Sequence, residues 1–155
     1  MRRCIPDKNL FSKKVWATLF SIPYSDADKK NLEKAFSIDT SSIKFGPGVT
    51  NELGFECKRL GASRVMVLTD PNMAANEAVV TGMGSLRSEG IDAVLFDSVS
   101  VEPTDVSFKD AIRFAFEGAF NGFVAIGGGS SIDTAKAANL YTTYPADFLT
   151  YVNAP

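Results

Sequence analysis

Three short runs of consecutive apolar residues dominate the pattern of the chain, at Val65–Leu68, Ala93–Phe96 and Phe123–Ile126. Such runs are typical of strands that are buried on both faces of a sheet. After each run, apolar residues recur at helical spacing. We therefore predict strands over 64–69, 93–96 and 122–126, each followed by a helix, over 74–89, 105–117 and 130–141. This alternation predicts an α/β fold with a doubly wound, mostly parallel sheet.

A weaker pattern precedes the alternation. It predicts helices over 25–36 and 49–60 and a brief strand over 42–45. Within the helix over 49–60, Leu53, Cys57 and Leu60 lie on one face, and Gly61 stands where a left-handed cap belongs.

The helix predicted over 105–117 has clear end signals. Thr104 is of a residue type that caps helices, and Gly118 is expected to end this one. Its inward face is expected to carry Ala111, Ile112, Ala115 and Phe116.

Residues 1–24 differ from the rest of the chain because they carry five basic side chains and one acidic side chain. Phe11, Val15, Leu19 and Ile22 fall on one face at helical spacing. A basic amphipathic segment is typical of a mitochondrial targeting peptide. It also suits an arm docked on the protein or on a neighbouring chain. The first interpretation implies a mitochondrial protein, and the second leaves a cytoplasmic one.

Composition excludes several classes of function. There is no histidine, so histidine-based triads and histidine-ligated metal sites are impossible within these 155 residues. The net charge of −2 and the pI of about 5.1 give no general attraction to nucleic acid. Cys4 and Cys57 are too few for a disulfide framework. No apolar run reaches the roughly 18 residues that a transmembrane helix needs.

The sharpest chemical feature is Gly127-Gly128-Gly129-Ser130-Ser131, which joins a buried strand to a helix. Glycines let a ligand approach the backbone, and the free amides of a helix's first turn attract an anion. A pyrophosphate suits such a site, with Ser130 and Ser131 adding hydroxyl donors. The alternative is a tight turn that binds nothing. The standard dinucleotide fingerprint is absent because Ile132 replaces its third glycine, and the P-loop lysine is absent too.

Three acidic residues follow predicted strands or lie on the loop helix. Asp70 ends the first buried strand, where its carboxylate could accept hydrogen bonds from a ribose and repel a 2′-phosphate. Alternatively, Asp70 only starts the turn before Pro71. Glu102 follows the second strand and could meet a ribose or the nicotinamide side, or belong only to a helix-entry loop. Asp133 is three residues from Lys136 and could pair with it or brace the loop.

Residues Gly127–Lys136 resemble the G-G-G-S-x-x-D-x-x-K stretch of the iron-containing (group III) alcohol dehydrogenases. The resemblance extends to Lys44–Gly48, Thr69-Asp70, Val101–Thr104 and Asp147–Val152. It implies a Rossmann-like N-terminal domain that binds NAD and an all-helical domain after it. It also implies that Gly128, Gly129, Ser130, Ser131 and Asp133 hold the pyrophosphate and that Asp70 favours NAD over NADP.

The family's metal, iron or zinc, is held by an aspartate and usually three histidines of the helical domain. No residue of this chain matches them, so the resemblance implies a domain truncated before that metal-binding half, without catalytic or metal-ligating residues of its own. We accordingly divide the chain into the arm, 1–24, and a partial dinucleotide-binding domain, 25–155. A partner chain is expected to cover the truncated sheet edge.

The flanking residues look most like the mitochondrial branch of the family that transfers hydride between a hydroxyacid and an oxoacid. That branch uses bound NAD to oxidise 4-hydroxybutyrate to succinic semialdehyde while it reduces 2-oxoglutarate to 2-hydroxyglutarate. The resemblance thus implies the NAD-binding part of such an oxidoreductase. The alternative is a non-catalytic fragment retained as a structural subunit of a larger assembly.

Overall fold

A three-stranded parallel sheet is the centre of the computed structural model, which describes residues 43–152. The predicted arm over 1–24 and the helix predicted over 25–36 lie outside the described residues. The strands are β1 (Arg64–Leu68), β2 (Asp92–Phe96) and β3 (Gly122–Ala125). The α-helices are α1 (Leu53–Arg59), α2 (Glu77–Ser88), α3 (Asp105–Gly118) and α4 (Gly129–Thr143), and two 3-10 helices cover Val49–Glu52 and Phe148–Tyr151.

The predicted parallel alternation of strands and helices is confirmed, with the strands in the order β2-β1-β3. The register places Val65 of β1 opposite Ala93 of β2 and Gly122 of β3. The chain runs from β1 to β2 on one side and then crosses to β3 on the other. This reversal places the topological switch point of the sheet at the carboxyl ends of β1 and β3, and the crevice outside such a point is where doubly wound sheets bind ligands.

Both faces of β1 are covered, as its continuous apolar sequence predicts. Val65 and Val67 pack with residues of α1 and α2, and Met66 and Leu68 pack with residues of α3 and α4. All four side chains are fully buried. Because successive strand residues point to opposite faces, one five-residue strand supplies the centre of two cores.

Asn121 fixes the start of the sheet. Its side-chain oxygen accepts hydrogen bonds from the amides of Ser63 and Arg64, at 3.0 and 2.9 Å, and its side-chain nitrogen donates to the Ser63 hydroxyl at 3.0 Å. The Asn121 amide donates to the Arg64 carbonyl at 2.9 Å. One side chain therefore ties the beginning of β3 to the beginning of β1.

Capping residues set the helix boundaries. The helix predicted over 74–89 begins later, at Glu77, because the Asn76 side chain accepts the Ala78 amide at 2.9 Å. The predicted Thr104 cap is confirmed: its hydroxyl accepts the Ser107 amide at 3.2 Å. Gly118, predicted to end this helix, is its last residue, and the left-handed position after it belongs to Ala119, with φ of 49°.

Three local predictions are wrong. Residues 43–45 form no strand, because the chain there passes through a turn into the first 3-10 helix without joining the sheet. Leu60 is 72% exposed, since α1 ends before it. Phe116 is 49% exposed, because Ala111 and Ala115 form the buried face of α3 and Phe114, rather than Phe116, packs beside it.

Candidate functional site

Two hydrogen bonds join the carboxyl ends of β1 and β3. The Ile126 amide donates to the Leu68 carbonyl at 2.9 Å, and the Thr69 hydroxyl donates to the Ile126 carbonyl at 2.7 Å. Immediately after these bonds the two strands diverge, one into Asp70 and the other into the glycine loop, Gly127–Gly129. The crevice between the strands is thus bordered by a carboxylate on one side and by glycine backbone on the other.

Gly127 is glycine for a structural reason. Its φ of +154° lies in a region that other residues rarely adopt. A Cβ atom on Gly127 would also lie 2.6 Å from the Ser131 hydroxyl oxygen. The same Cβ position is 3.7 Å from the Asp70 Oδ2 atom, so the carboxylate reaches the glycine loop. Asp70 and the glycine loop, to which the resemblance assigns roles with one cofactor, are therefore neighbours in the fold.

Gly128 and Gly129, by contrast, have no structural requirement to be glycine within the described residues. A Cβ added at either residue would meet no heavy atom within 4 Å, and neither residue has a positive φ. Neither packing nor backbone conformation within residues 43–152 demands glycine at these two positions. A side chain at either position would extend into open space at the N-terminal end of α4. That space is where an anion would contact the free amides.

The N-terminus of α4 lacks the caps that the other long helices have. Asn76 caps α2 and Thr104 caps α3, and each of these helices has an acidic residue in its first turn. By contrast, Gly128 makes no side-chain cap for α4, and its first turn contains no acid. The first-turn amides of this 15-residue helix are left for an external partner, and the helix dipole favours a negatively charged one.

The two carboxylate oxygens of Asp70 have different surroundings. Its Oδ1 atom accepts the amides of Asn72 and Met73, at 3.0 and 3.2 Å, so the residue starts the turn before α2. Its Oδ2 atom is the one on the side of Gly127. The turn therefore fixes the carboxylate with one oxygen held internally and the other directed at the crevice.

The two loop serines have different surroundings. Ser131 is 1% exposed and packs beneath Gly127, so its hydroxyl supports the loop from inside. The Ser130 hydroxyl donates to the carbonyl of Val101. This bond brings the loop after β2, with the exposed Glu102, against the start of α4. Glu102 is thereby placed at the same sheet edge as Asp70 and the glycine loop.

Asp133 lies one turn further along α4 and is exposed. It pairs with Lys136 at 3.2 Å, which was one of the alternatives that the spacing left open. Within the described residues, Asp133 accepts no hydrogen bond from the glycine loop. Both side chains of this pair face solvent, so the pair adds little to stability.

Two clefts of the described range lie beside α3 rather than at the glycine loop. The larger, of about 500 Å3, lies between the end of β2 and the length of α3, and residues such as Ser98, Thr104 and Arg113 line it. It contains no glycine and no uncapped helix end. We therefore place the candidate anion site at the more open glycine loop, where the backbone donors are.

The described part of the chain offers neither a metal-ligating cluster nor a readily ionised thiol at Cys57. No group of three or more Cys, Asp or Glu side chains is placed to hold a metal ion between residues 43 and 152. Cys57 packs on the core beside β1, where burial raises the pKa of its thiol. A raised pKa disfavours the reactive thiolate, so Cys57 acts as a core residue, as its position on an apolar helix face predicted.

Two contributors to the site were not predicted from the sequence. Thr69 was included in a strand without a role, although it is the single polar residue at the end of an apolar run. The Val101 carbonyl, which holds Ser130, carries no signal in the sequence because every residue has a carbonyl.

Fold and site together define a doubly wound α/β domain with a candidate anion site at a helix N-terminus. A family model described as "Iron-containing alcohol dehydrogenase" matches residues 40–155. The chain belongs to the iron-containing alcohol dehydrogenase family.

Individual members of the family are similar to this chain over most of its length. Mitochondrial hydroxyacid-oxoacid transhydrogenase from Bos taurus is 50% identical over 127 residues, which are 81% of this chain and 27% of the relative. The Homo sapiens protein of the same name is 48% identical over 127 residues, again 81% of this chain and 27% of the relative. The chain thus spans just over a quarter of the length of these relatives.

Solved structures agree with the fold. NADH-dependent butanol dehydrogenase A from Thermotoga maritima superposes with a TM-score of 0.68 and 26% identity, over 74% of this chain and 29% of that one. A 1,3-propanediol oxidoreductase gives a TM-score of 0.66 and 28% identity, over 70% of this chain and 28% of that one. The likeness is to one part of larger oxidoreductases.

Proposed function

We propose that the described residues are the NAD-binding part of a metal-dependent alcohol or hydroxyacid oxidoreductase. The observation that carries the proposal is that Gly128 and Gly129 border open space. Neither packing nor backbone conformation requires glycine at these two positions. A pyrophosphate lying in that space would explain why both positions lack side chains. Membership of a family of oxidoreductases makes a nicotinamide dinucleotide the matching ligand.

The chain's own residues fit such a ligand. The amides of Gly129, Ser130 and Ser131 form the uncapped first turn of α4 and would donate to the pyrophosphate oxygens. The bond from Ser130 to Val101 holds this turn against the loop after β2. When bound, NAD would supply the hydride acceptor. The protein's part here is to bind and orient the dinucleotide.

Asp70 and Glu102 suit the sugar groups of the cofactor. The Oδ2 atom of Asp70 faces the crevice and could accept hydrogen bonds from the adenosine ribose. The same negative charge would repel the 2′-phosphate of NADP, so the site would prefer NAD. Glu102, exposed at the same edge, is the second candidate for a ribose or the nicotinamide side. Asp133, paired with Lys136, is the most peripheral member of the proposed set.

The family's metal does not fit the described residues. They contain no cluster of metal-ligating side chains, and the whole sequence contains no histidine. No catalytic step is therefore assigned to a metal held by residues 43–152.

We further propose a hydroxyacid as the substrate class of the enzyme to which this domain belongs. The support is the identity of about 50% to proteins named hydroxyacid-oxoacid transhydrogenase. The specific reaction would be oxidation of 4-hydroxybutyrate to succinic semialdehyde with 2-oxoglutarate as the hydride acceptor. The word "mitochondrial" in the names of these relatives supports a mitochondrial location. No helix in the described range is long and apolar enough to cross a membrane.

The test fills the open space with a single methyl group. Gly129→Ala adds a Cβ that meets no protein atom, so the melting temperature should stay the same or rise slightly. The NAD dissociation constant, measured by calorimetry, should rise at least about tenfold, because the methyl occupies the pyrophosphate position. Gly84→Ala is the matched control: it also adds a methyl into open space, but on the solvent side of α2.

Equal NAD affinity in Gly129→Ala, Gly84→Ala and the parent chain would contradict the proposal. Absence of NAD binding in the parent chain would also contradict it. That second result would favour the alternative from the sequence, a non-catalytic subunit that associates with another protein chain.

A further inference from the structure

A buried threonine lies directly beneath the proposed cofactor loop. Thr69 follows the last residue of β1 and is 0% exposed. It contacts all three strand ends of the described sheet. Its amide donates to the Phe96 carbonyl at 3.0 Å, its carbonyl accepts the Val99 amide at 3.3 Å, and its hydroxyl donates to the Ile126 carbonyl at 2.7 Å. Two of these bonds are backbone bonds that any residue would make, and only the third depends on the side chain.

The hydroxyl takes the place of a missing sheet hydrogen bond. In a parallel ladder, a residue that donates its amide to Leu68 would accept at its carbonyl from the residue two positions further along β1, which is Asp70. The Ile126 amide does donate to Leu68, but among the described residues its carbonyl accepts from the Thr69 hydroxyl instead. The backbone of Asp70 is thereby released to turn away before Pro71, while the carbonyl remains satisfied.

The replacement of a backbone amide donor by the Thr69 hydroxyl matters because the Ile126 carbonyl belongs to the peptide that leads into Gly127. Fixing that carbonyl fixes the peptide plane from which Gly127 takes its φ of +154°. The conformation of Gly127 in turn directs Gly128 and the first turn of α4. The same threonine therefore allows Asp70 to face the crevice and holds the opposite wall in place.

We propose that Thr69 is a positioning residue, which sets the geometry of the glycine loop through its hydrogen bond to the Ile126 carbonyl. It touches no ligand itself. The expected effect on cofactor affinity rests on the proposed function, whereas the expected effect on the loop does not. Two separate measurements on the whole chain therefore test it.

The first measurement is amide hydrogen exchange in the absence of any ligand. Thr69→Val keeps the shape of the side chain and removes the hydroxyl, whereas Thr69→Ser keeps the hydroxyl. In Thr69→Val we expect the amides of Ile126 and Ile132, which flank the loop, to exchange at least about tenfold faster. The Asn121 amide, bonded to Arg64 at the far end of β3, is the internal reference and should be unchanged.

The second measurement is NAD affinity by calorimetry. Thr69→Val should raise the NAD dissociation constant at least about fivefold, and Thr69→Ser should keep it within about twofold. Ile91→Val is the control for general loss of stability, because Ile91 is a buried core residue just before β2 at the opposite end of the sheet. Ile91→Val should lower the melting temperature and leave the NAD affinity unchanged. It should not selectively raise the exchange rates of the Ile126 and Ile132 amides.

The outcomes separate the two claims. If the parent chain binds no NAD, the proposed function fails, and the exchange pattern alone still decides the role of Thr69. If Thr69→Val speeds exchange equally at Asn121, or if Thr69→Ser is as impaired as Thr69→Val, the threonine is only a packing residue and the inference is overturned. Should Thr69→Val not fold, the comparison of Thr69→Ser with Thr69→Ala gives the same decision.

Discussion

At the scale of single residues, glycine serves two purposes in one loop. Gly127 is required by its own backbone and by the Ser131 side chain beneath it, whereas Gly128 and Gly129 face empty space. The sequence predicted a phosphate loop from three consecutive glycines, but it could not separate the structural glycine from the two that face open space. That separation depends on atoms contributed by other parts of the chain, including Ser131 and Asp70.

Asp70 offers a charge test that leaves its turn intact. In Asp70→Asn the amide oxygen can still accept from Asn72 and Met73, so the melting temperature should not change. Removing the negative charge should lower the preference for NAD over NADP by roughly tenfold, since unit charges about 4 Å apart interact by about 1 to 4 kcal/mol in surface environments. Parallel calorimetric titrations with both cofactors measure the ratio. An unchanged ratio would remove Asp70 from the ribose site.

Cys57 gives a second test at this scale. Burial raises the pKa of its thiol, so the thiolate should be scarcer at pH 8 than for an unperturbed cysteine. In a Cys4→Ser background, we expect the rate of alkylation at pH 8 to be well below that of a free thiol and to rise as the pH approaches and passes 9. A rate at pH 8 equal to that of glutathione would show that the thiol is not held in the core.

At the scale of elements, the three strands of the sheet were predictable, whereas the further strand predicted over 42–45 is not formed by residues 43–45 and one helix starts later than predicted. Each of the three strands is a short, continuous apolar run with a helix after it, and β1, at the centre, packs against helices on both faces. The start of α2 was misjudged because the Asp70 turn and the Asn76 cap delay it to Glu77. Caps and turns of this kind depend on a few local hydrogen bonds, which compete with helical propensity over only two or three residues.

Asn121 should contribute a measurable part of the stability of the sheet. Asn121→Ala removes the acceptor for two backbone amides at the start of β1, which should lower the free energy of unfolding by roughly 1 to 3 kcal/mol. Urea denaturation measures this loss. Asn139→Ala, on the exposed side of α4, is the control and should change the free energy of unfolding by no more than about 0.5 kcal/mol. Equal losses in the two variants would contradict the role given to Asn121.

At the scale of the whole molecule, the order of the strands creates the site. Because the chain passes from β1 to β2 and then back across to β3, the loops after β1 and β3 diverge and leave a crevice between Asp70 and the glycine loop. The sequence predicted parallel strands with these residues at their carboxyl ends, so it placed them at one edge. It did not predict which strands are neighbours, since strand order depends on long-range packing.

The central claim is that a dinucleotide binds between β1 and β3, and mapping NAD onto the folded chain by NMR tests it most directly. The chain, labelled with nitrogen-15, is titrated with NAD while its amide shifts are followed. We predict the largest shifts at Gly127–Ser131 and at Thr69 and Asp70, with little change at Ser98, Ser107 and Arg113 in the cleft beside α3. Shifts concentrated in that cleft, or no saturable shifts at millimolar NAD, would contradict the account.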